Sequence, residues 1–136
     1  MKLQYSVLIM AFFLMPLTVA DQADAERALA AMLTDAVREV NATTPQLIDE
    51  ETRLDSAATF RNYIIYTNTM VNYSADQLDP ALFKPIIQGT VIDTLCGNKQ
   101  LVGFVDLKVV MVYRYLGKDG KFIAELSKDM GTCARS

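Results

Sequence analysis

The chain reads as an α+β protein. The expected architecture is an antiparallel sheet of about four strands with two main helices packed on one face, in the order α-β-β-α-β-β. Three observations predict it. Val109-Val110-Met111-Val112-Tyr113-Arg114-Tyr115 and Phe122-Ile123-Ala124-Glu125-Leu126 are strand-forming runs on either side of Gly117-Lys118-Asp119-Gly120. Asp-Gly between such runs signals a hairpin, because glycine accepts the positive φ that a primed turn demands. Asp21–Val40 places Ala25, Leu29, Met32, Leu33, Ala36, Val37 and Val40 on one stripe at helical spacing. Tyr63–Tyr73 is a further long stretch of strand formers.

At the N-terminus, Lys2 is the only charge before Asp21, and Leu8–Val19 is apolar except for Pro16 and Thr18. That run has the length of a signal-peptide core and falls short of the roughly 20 residues that span a bilayer. Thr18-Val19-Ala20 offers small residues for cleavage, and Ala23-Asp24-Ala25 is a second option. The expectation is a signal peptide over residues 1–20 and a single α+β domain over 21–136, with an uncleaved signal anchor as the alternative. No cysteine follows the apolar run, which disfavours a lipid anchor. What remains is long enough for one core and too short for two.

In the first helix, Asp21, Asp24 and Glu26 complement the dipole of the first turn. Asn41 is a plausible stop, and Pro45 opposes continuation. Gln46–Ser56 fits a half-buried strand, with Ile48, Thr52, Leu54 and Ser56 on one parity, and Ala57–Asn62 then reads as a loop. Tyr63–Tyr73 carries apolar residues on both parities, as a central or twisted strand would.

Ser74-Ala75-Asp76-Gln77 matches a capping box, and Asp79-Pro80 is a second start signal. Pro85 comes too soon for an unbroken helix. The reading is therefore a short turn near Ala75–Phe83, then a helix over Pro85–Cys96 with Ile86, Ile87, Val91 and Leu95 facing the core, ended by Gly97-Asn98. Leu101–Leu107 is a helical turn or an early strand, and a short helix is preferred. In the last hairpin one face should carry Val109, Met111, Tyr113 and Tyr115, met by Phe122, Ala124 and Leu126.

Thirteen Lys and Arg stand against sixteen Asp and Glu, a net charge of −3, with no basic patch. Nucleic acid and anionic membrane surfaces are thereby disfavoured as partners, since both are held through clustered cations. Histidine is absent. Ser-His-Asp and Cys-His catalysis and histidine-containing metal sites are excluded with it. Two cysteines do not make a structural zinc site, and no glycine-rich phosphate loop is present. No metal and no cofactor is expected. In an exported chain Cys96 and Cys133 are most simply a disulfide, which would stabilise the fold by roughly 4 kcal/mol in the chain-entropy estimate; two free thiols are the alternative.

Carboxylate chemistry is what remains. Asp49, Glu50, Glu51 and Asp55 cluster with Arg53, and on a strand Asp49, Glu51, Arg53 and Asp55 would share a face. Such a face could supply an acid and a base, or bind a hard cation or a small ligand. The plainer reading is a solvated strand face neutralised by Arg53. Tyr63, Tyr66, Tyr73, Tyr113 and Tyr115 either line a groove or serve as core and cross-strand pairs.

Asp49-Glu50-Glu51-Thr52-Arg53-Leu54-Asp55-Ser56, Tyr66 with Asn68, Cys96, Tyr113 with Gly117-Lys118-Asp119-Gly120-Lys121, and the closing Cys133 together resemble a family of small exported proteins of Gram-negative bacteria. The resemblance spans most of the mature chain. It implies a periplasmic setting and paired Cys96 and Cys133, and it carries over no activity and no catalytic residue. Pro85 within the second helix departs from the pattern and puts that helix's start in doubt. The expected function is non-enzymatic binding of a protein or envelope partner, as an inhibitor, immunity factor or assembly accessory, without stable membrane insertion after cleavage. The alternative is a carboxylate-dependent hydrolase or small-ligand binder using Asp49, Glu51, Arg53 and Asp55.

Overall fold

The computed structural model describes residues 18–133, so the expected signal segment lies outside the described residues up to Leu17. Helix α1 spans Val19–Thr43, and the expected cleavage point after Ala20 falls in its first turn. The other elements are β1 (Gln46–Leu47), β2 (Thr52–Phe60), β3 (Tyr63–Met70), α2 (Pro80–Thr90), α3 (Val102–Asp106), β4 (Val110–Gly117) and β5 (Phe122–Asp129), with short 3-10 turns between them. The strands form one sheet of five in the order β1-β2-β3-β4-β5. The α+β class and the packed helices are as the sequence implies. The sheet departs from the expectation in two respects: it has five strands where about four are expected, and β3 and β4 pair in parallel while every other neighbour is antiparallel. The segment between Met70 and Val110 contains α2 and α3, and a connection of that length permits a crossover. Two hairpins are thus joined side by side in parallel.

Thr18 caps α1, its hydroxyl oxygen accepting from the Asp21 N–H at 3.3 Å. The helix runs through Asn41 and stops at Thr43, because Thr44 precedes Pro45 and is extended (φ −97°, ψ 156°). Leu33 is fully buried, with Leu29, Met32, Ala36 and Val37 packed against the same core. Ala25, on the expected stripe, is exposed. Asn41 does more than end the helix. Its Oδ1 accepts from the Ala57 N–H at 2.8 Å and its Nδ2 donates to the Ala57 carbonyl at 3.0 Å.

The expected strand Gln46–Ser56 is two strands. Asp49 Oδ1 accepts from the N–H groups of Glu51 and Thr52, reversing the chain so that β1 pairs back on β2. Strand β2 then continues through Ala57–Phe60, in place of the expected loop. Thr59 and Phe60 are good strand formers, and Phe60 pairs with Tyr63 across a connection of only Arg61-Asn62. A bulge between Leu54 and Ser56 keeps the two strands in step.

Helix α2 begins at Pro80, five residues earlier than expected, with Asp79 Oδ1 accepting from the Ala81 N–H. Pro85 sits inside it and forgoes one backbone bond, while Phe83 and Ile87, one turn apart, bury against the sheet. That phase turns Ile86 outward to 61 % exposure, whereas Ile87 and Leu95 are buried as expected. The helix ends at Thr90, and Ile92–Gly97 is a 3-10 turn. Leu101–Leu107 is helical over Val102–Asp106.

In the last hairpin Tyr113 faces Leu126 and Tyr115 faces Ala124. Phe122 does not join them. A register shift beside Leu116 pairs it with Leu116, on the other face. The turn is also not a primed one: Gly120 N–H donates to Gly117, and Gly120 is its only residue with positive φ (76°). A type I turn followed by a left-handed glycine fits that pattern. Cys96 and Cys133 are bonded, Cα to Cα 5.4 Å, tying the turn after α2 to the chain just past β5.

Candidate partner-binding surface

The structure disperses the acidic stretch. Asp49 lies in the β1–β2 turn, its Oδ1 committed to two backbone N–H groups. Glu51 lies in the same turn and accepts from the Tyr73 hydroxyl at 2.9 Å; that bond and the charge behind it raise the Tyr73 pKa. Only Arg53 and Asp55 stand together on β2, joined Nε to Oδ1 at 2.6 Å, with Asp55 Oδ2 accepting from Thr69. The shared strand face expected for all four is therefore absent, because a turn occupies the first part of the expected strand. Among the described residues no three acidic, cysteine or histidine side chains converge as a metal cluster.

The tyrosines divide by position. Tyr66 and Tyr113 stack with ring centroids 5.2 Å apart, and Tyr115 meets Phe83 edge to face at 5.2 Å. Burial pushes the Tyr66 and Tyr115 hydroxyls up to about 12 and raises that of Tyr113 further. These three rings serve as core. Tyr63 is 41 % exposed.

Side chains alternate across a sheet, so the register separates two faces. Ile64, Met70, Met111, Tyr115, Ala124 and Leu126 join the core with Leu33, Phe83 and Ile87 of the helices. The opposite face carries Phe60, Tyr63, Ile65, Val110 and Val112 toward the β2–β3 turn, and Thr67, Thr69, Arg114, Leu116 and Phe122 toward the other end. Val112 at its centre is buried by its neighbours, whereas Phe60 is 64 % and Phe122 59 % exposed. Arg114 Nε and Glu125 Oε2, 2.8 Å apart, cross the polar half. Sequence reasoning misses this face, since it assigns Phe60 to a loop and Phe122 to the core side. Phe60-Arg61-Asn62-Tyr63, two strand formers around a two-residue connection, is the signal available for the first.

No family model and no curated protein matches the chain. Solved structures do. A protein of Pseudomonas aeruginosa described as secreted has TM-score 0.67 and 18 % identity, covering 81 % of this chain and 96 % of its own. EpsS, the pilotin of the Vibrio vulnificus type 2 secretion system, has TM-score 0.67 and 13 % identity, covering 84 % and 99 %. AspS, the type II secretion system pilotin of Vibrio cholerae, has TM-score 0.65 and 12 % identity, covering 82 % and 98 %. Among the described residues no helix is long and apolar enough to cross a membrane. At these identities the likeness is one of fold: the chain shares its architecture, over nearly the whole of each neighbour, with a protein described as secreted and with two secretion-system pilotins.

Proposed function

We propose that this chain is an exported, non-enzymatic protein of a Gram-negative periplasm that binds a protein partner as an accessory to an envelope assembly. The observation that carries the reading is the sheet face opposite the core, with Phe60, Tyr63 and Phe122 standing in solvent. Exposed aromatic side chains of this kind supply large contact area at low entropic cost. The shared fold with two type 2 secretion pilotins supports an envelope role of that class. The dispersal of Asp49 and Glu51 into backbone and tyrosine contacts weighs against a carboxylate-dependent hydrolase or a small-ligand site in that stretch.

The test is site-specific photo-crosslinking in cells of the source organism. A crosslinker at Phe60, Tyr63 or Phe122 is expected to yield one discrete protein adduct, and one at Glu39, exposed on α1, none. Phe60→Ser is expected to weaken the adduct formed from Phe122 while leaving the melting temperature unchanged. Adducts from no position, or equally from Glu39, would overturn the proposal.

A further inference from the structure

We infer that the sheet face opposite the core takes a peptide segment of its partner in which a carboxylate stands among apolar side chains, and that Arg61 receives the carboxylate. This rests on the reading above that the face binds a protein, and adds the chemistry of the bound segment.

The apolar end of the face has Phe60, Tyr63 and Val110 in one row across β2, β3 and β4, and Ile65 and Val112 in the next pair inward. Arg61 follows Phe60 in the β2–β3 turn, at φ 55°. Its guanidinium carbon lies over the Phe60 ring, 5.2 Å from the centroid. A ring face attracts a cation, so the contact keeps this charge beside the exposed aromatic. The other two arginines of the face are neutralised, Arg53 by Asp55 at 2.6 Å and Arg114 by Glu125 at 2.8 Å. Among the described residues the Arg61 guanidinium has no ion pair and no hydrogen bond. The carboxylate at the far end of its row, Asp129, is three strands away on β5, and its Oδ1 accepts from the Gly131 N–H at 2.9 Å. An apolar patch with an unanswered cation at its rim repels Lys and Arg and favours a carboxylate. The planar guanidinium can meet that carboxylate with two parallel hydrogen bonds. Rim charges of this kind set specificity more than affinity, so the signature is a preference for acid over amide.

The probe is a library of short random peptides displayed on phage and selected on the immobilised protein. Enriched sequences are expected to carry Asp or Glu among aromatic and aliphatic residues, and Phe60→Ser should weaken all of them. Exchanging the peptide's acid for its amide should weaken binding to the wild type about fivefold, the upper end for an exposed ion pair. With Arg61→Gln the acid and amide forms should bind equally, and with Arg61→Lys part of the preference should return. Lys84→Gln, which removes the same charge from the exposed surface of α2, should leave the preference intact. Arg61 and Lys84 are exposed and each substitute keeps a Cβ, so folding is expected to survive, with an unchanged melting temperature as the check. Selection that enriches no peptide, enrichment without an acid, or an acid preference that survives Arg61→Gln would overturn the inference. A discrete photo-crosslinked adduct from Phe122 alongside any of these results would leave the partner-binding reading standing. Self-association of the chain that Phe60→Ser abolishes would also overturn the inference, by assigning the face to a second copy.

Discussion

At Gly117 the chain has room for a hydrogen and nothing more. A Cβ there would collide with the Ala75 nitrogen and lie 2.9 Å from the Ser74 carbonyl carbon, both backbone atoms that cannot swing aside. The neighbouring Lys118 N–H donates to the Tyr73 carbonyl at 2.7 Å, so the β4–β5 turn is clamped to the segment after β3. Gly117→Ala is expected to cost about 1–3 kcal/mol as an overpacked site. Gly120→Ala has open space around it, and its φ of 76° should limit the loss to about 1–2 kcal/mol. Urea unfolding measures each loss, and a Gly117→Ala variant as stable as the wild type would refute the clamp. Asp119 closes the same contact, its Oδ1 accepting from the Ala75 N–H at 3.2 Å. Desolvation pushes its carboxyl up, but the N–H groups of Ala75 and Lys121, its own N–H and the Lys121 charge outweigh that and hold it below 3.8. A lowered folded pKa stabilises above the unfolded value and is lost as pH falls through the folded one. The stability gap between wild type and Asp119→Asn should therefore be full near neutral pH and shrink in acid below about pH 4. A gap independent of pH would show that the carboxylate plays no part.

At the scale of elements, the disulfide does what no single helix or strand can. It joins the 3-10 turn after α2 to the residues past β5 across 37 positions of sequence. In the chain-entropy estimate a closed loop of that length is worth roughly 4 kcal/mol. Cys96→Ser and Cys133→Ser should lower the melting temperature equally, with the double variant no worse than either. Free thiols in the denatured, unreduced protein would exclude the bond. The elements legible in sequence are those whose signals are local: the amphipathic stripe of α1, the strand formers of β3 and β4, the short helix α3. Expectation and structure part where a local signal meets a tertiary one. Pro85 argues for a break, but burial of Phe83 and Ile87 carries α2 through it. The acidic residues of 49–55 match strand alternation, yet Asp49 satisfies two backbone N–H groups as a turn. The parallel pairing of β3 with β4 and the exposed aromatic face depend on register and crossover, which no short stretch of sequence encodes.

At the scale of the whole molecule, the export proposed above would set the length of the working chain. The mature protein is expected to begin near Asp21 in the periplasmic fraction. Mass spectrometry finding residues 1–20 intact in membranes would instead identify a signal anchor. The sheet itself has two margins. At one of them β1 covers β2 only at Arg53 and Leu54, and further along Asn41 reaches from α1 to both backbone groups of Ala57. One amide thus makes the two bonds that an incoming strand from another molecule would make. Unpaired strand margins are templates for edge-to-edge aggregation. Asn41→Ala should cost about 1–2 kcal/mol in lost hydrogen bonds, and its larger effect should be colloidal: light scattering that grows with concentration and time where the wild type stays clear. Equal scattering from both proteins would show the margin to be protected by other means. A side chain on a helix, outside the aromatic face proposed for binding, would then govern whether the protein stays dispersed at high concentration.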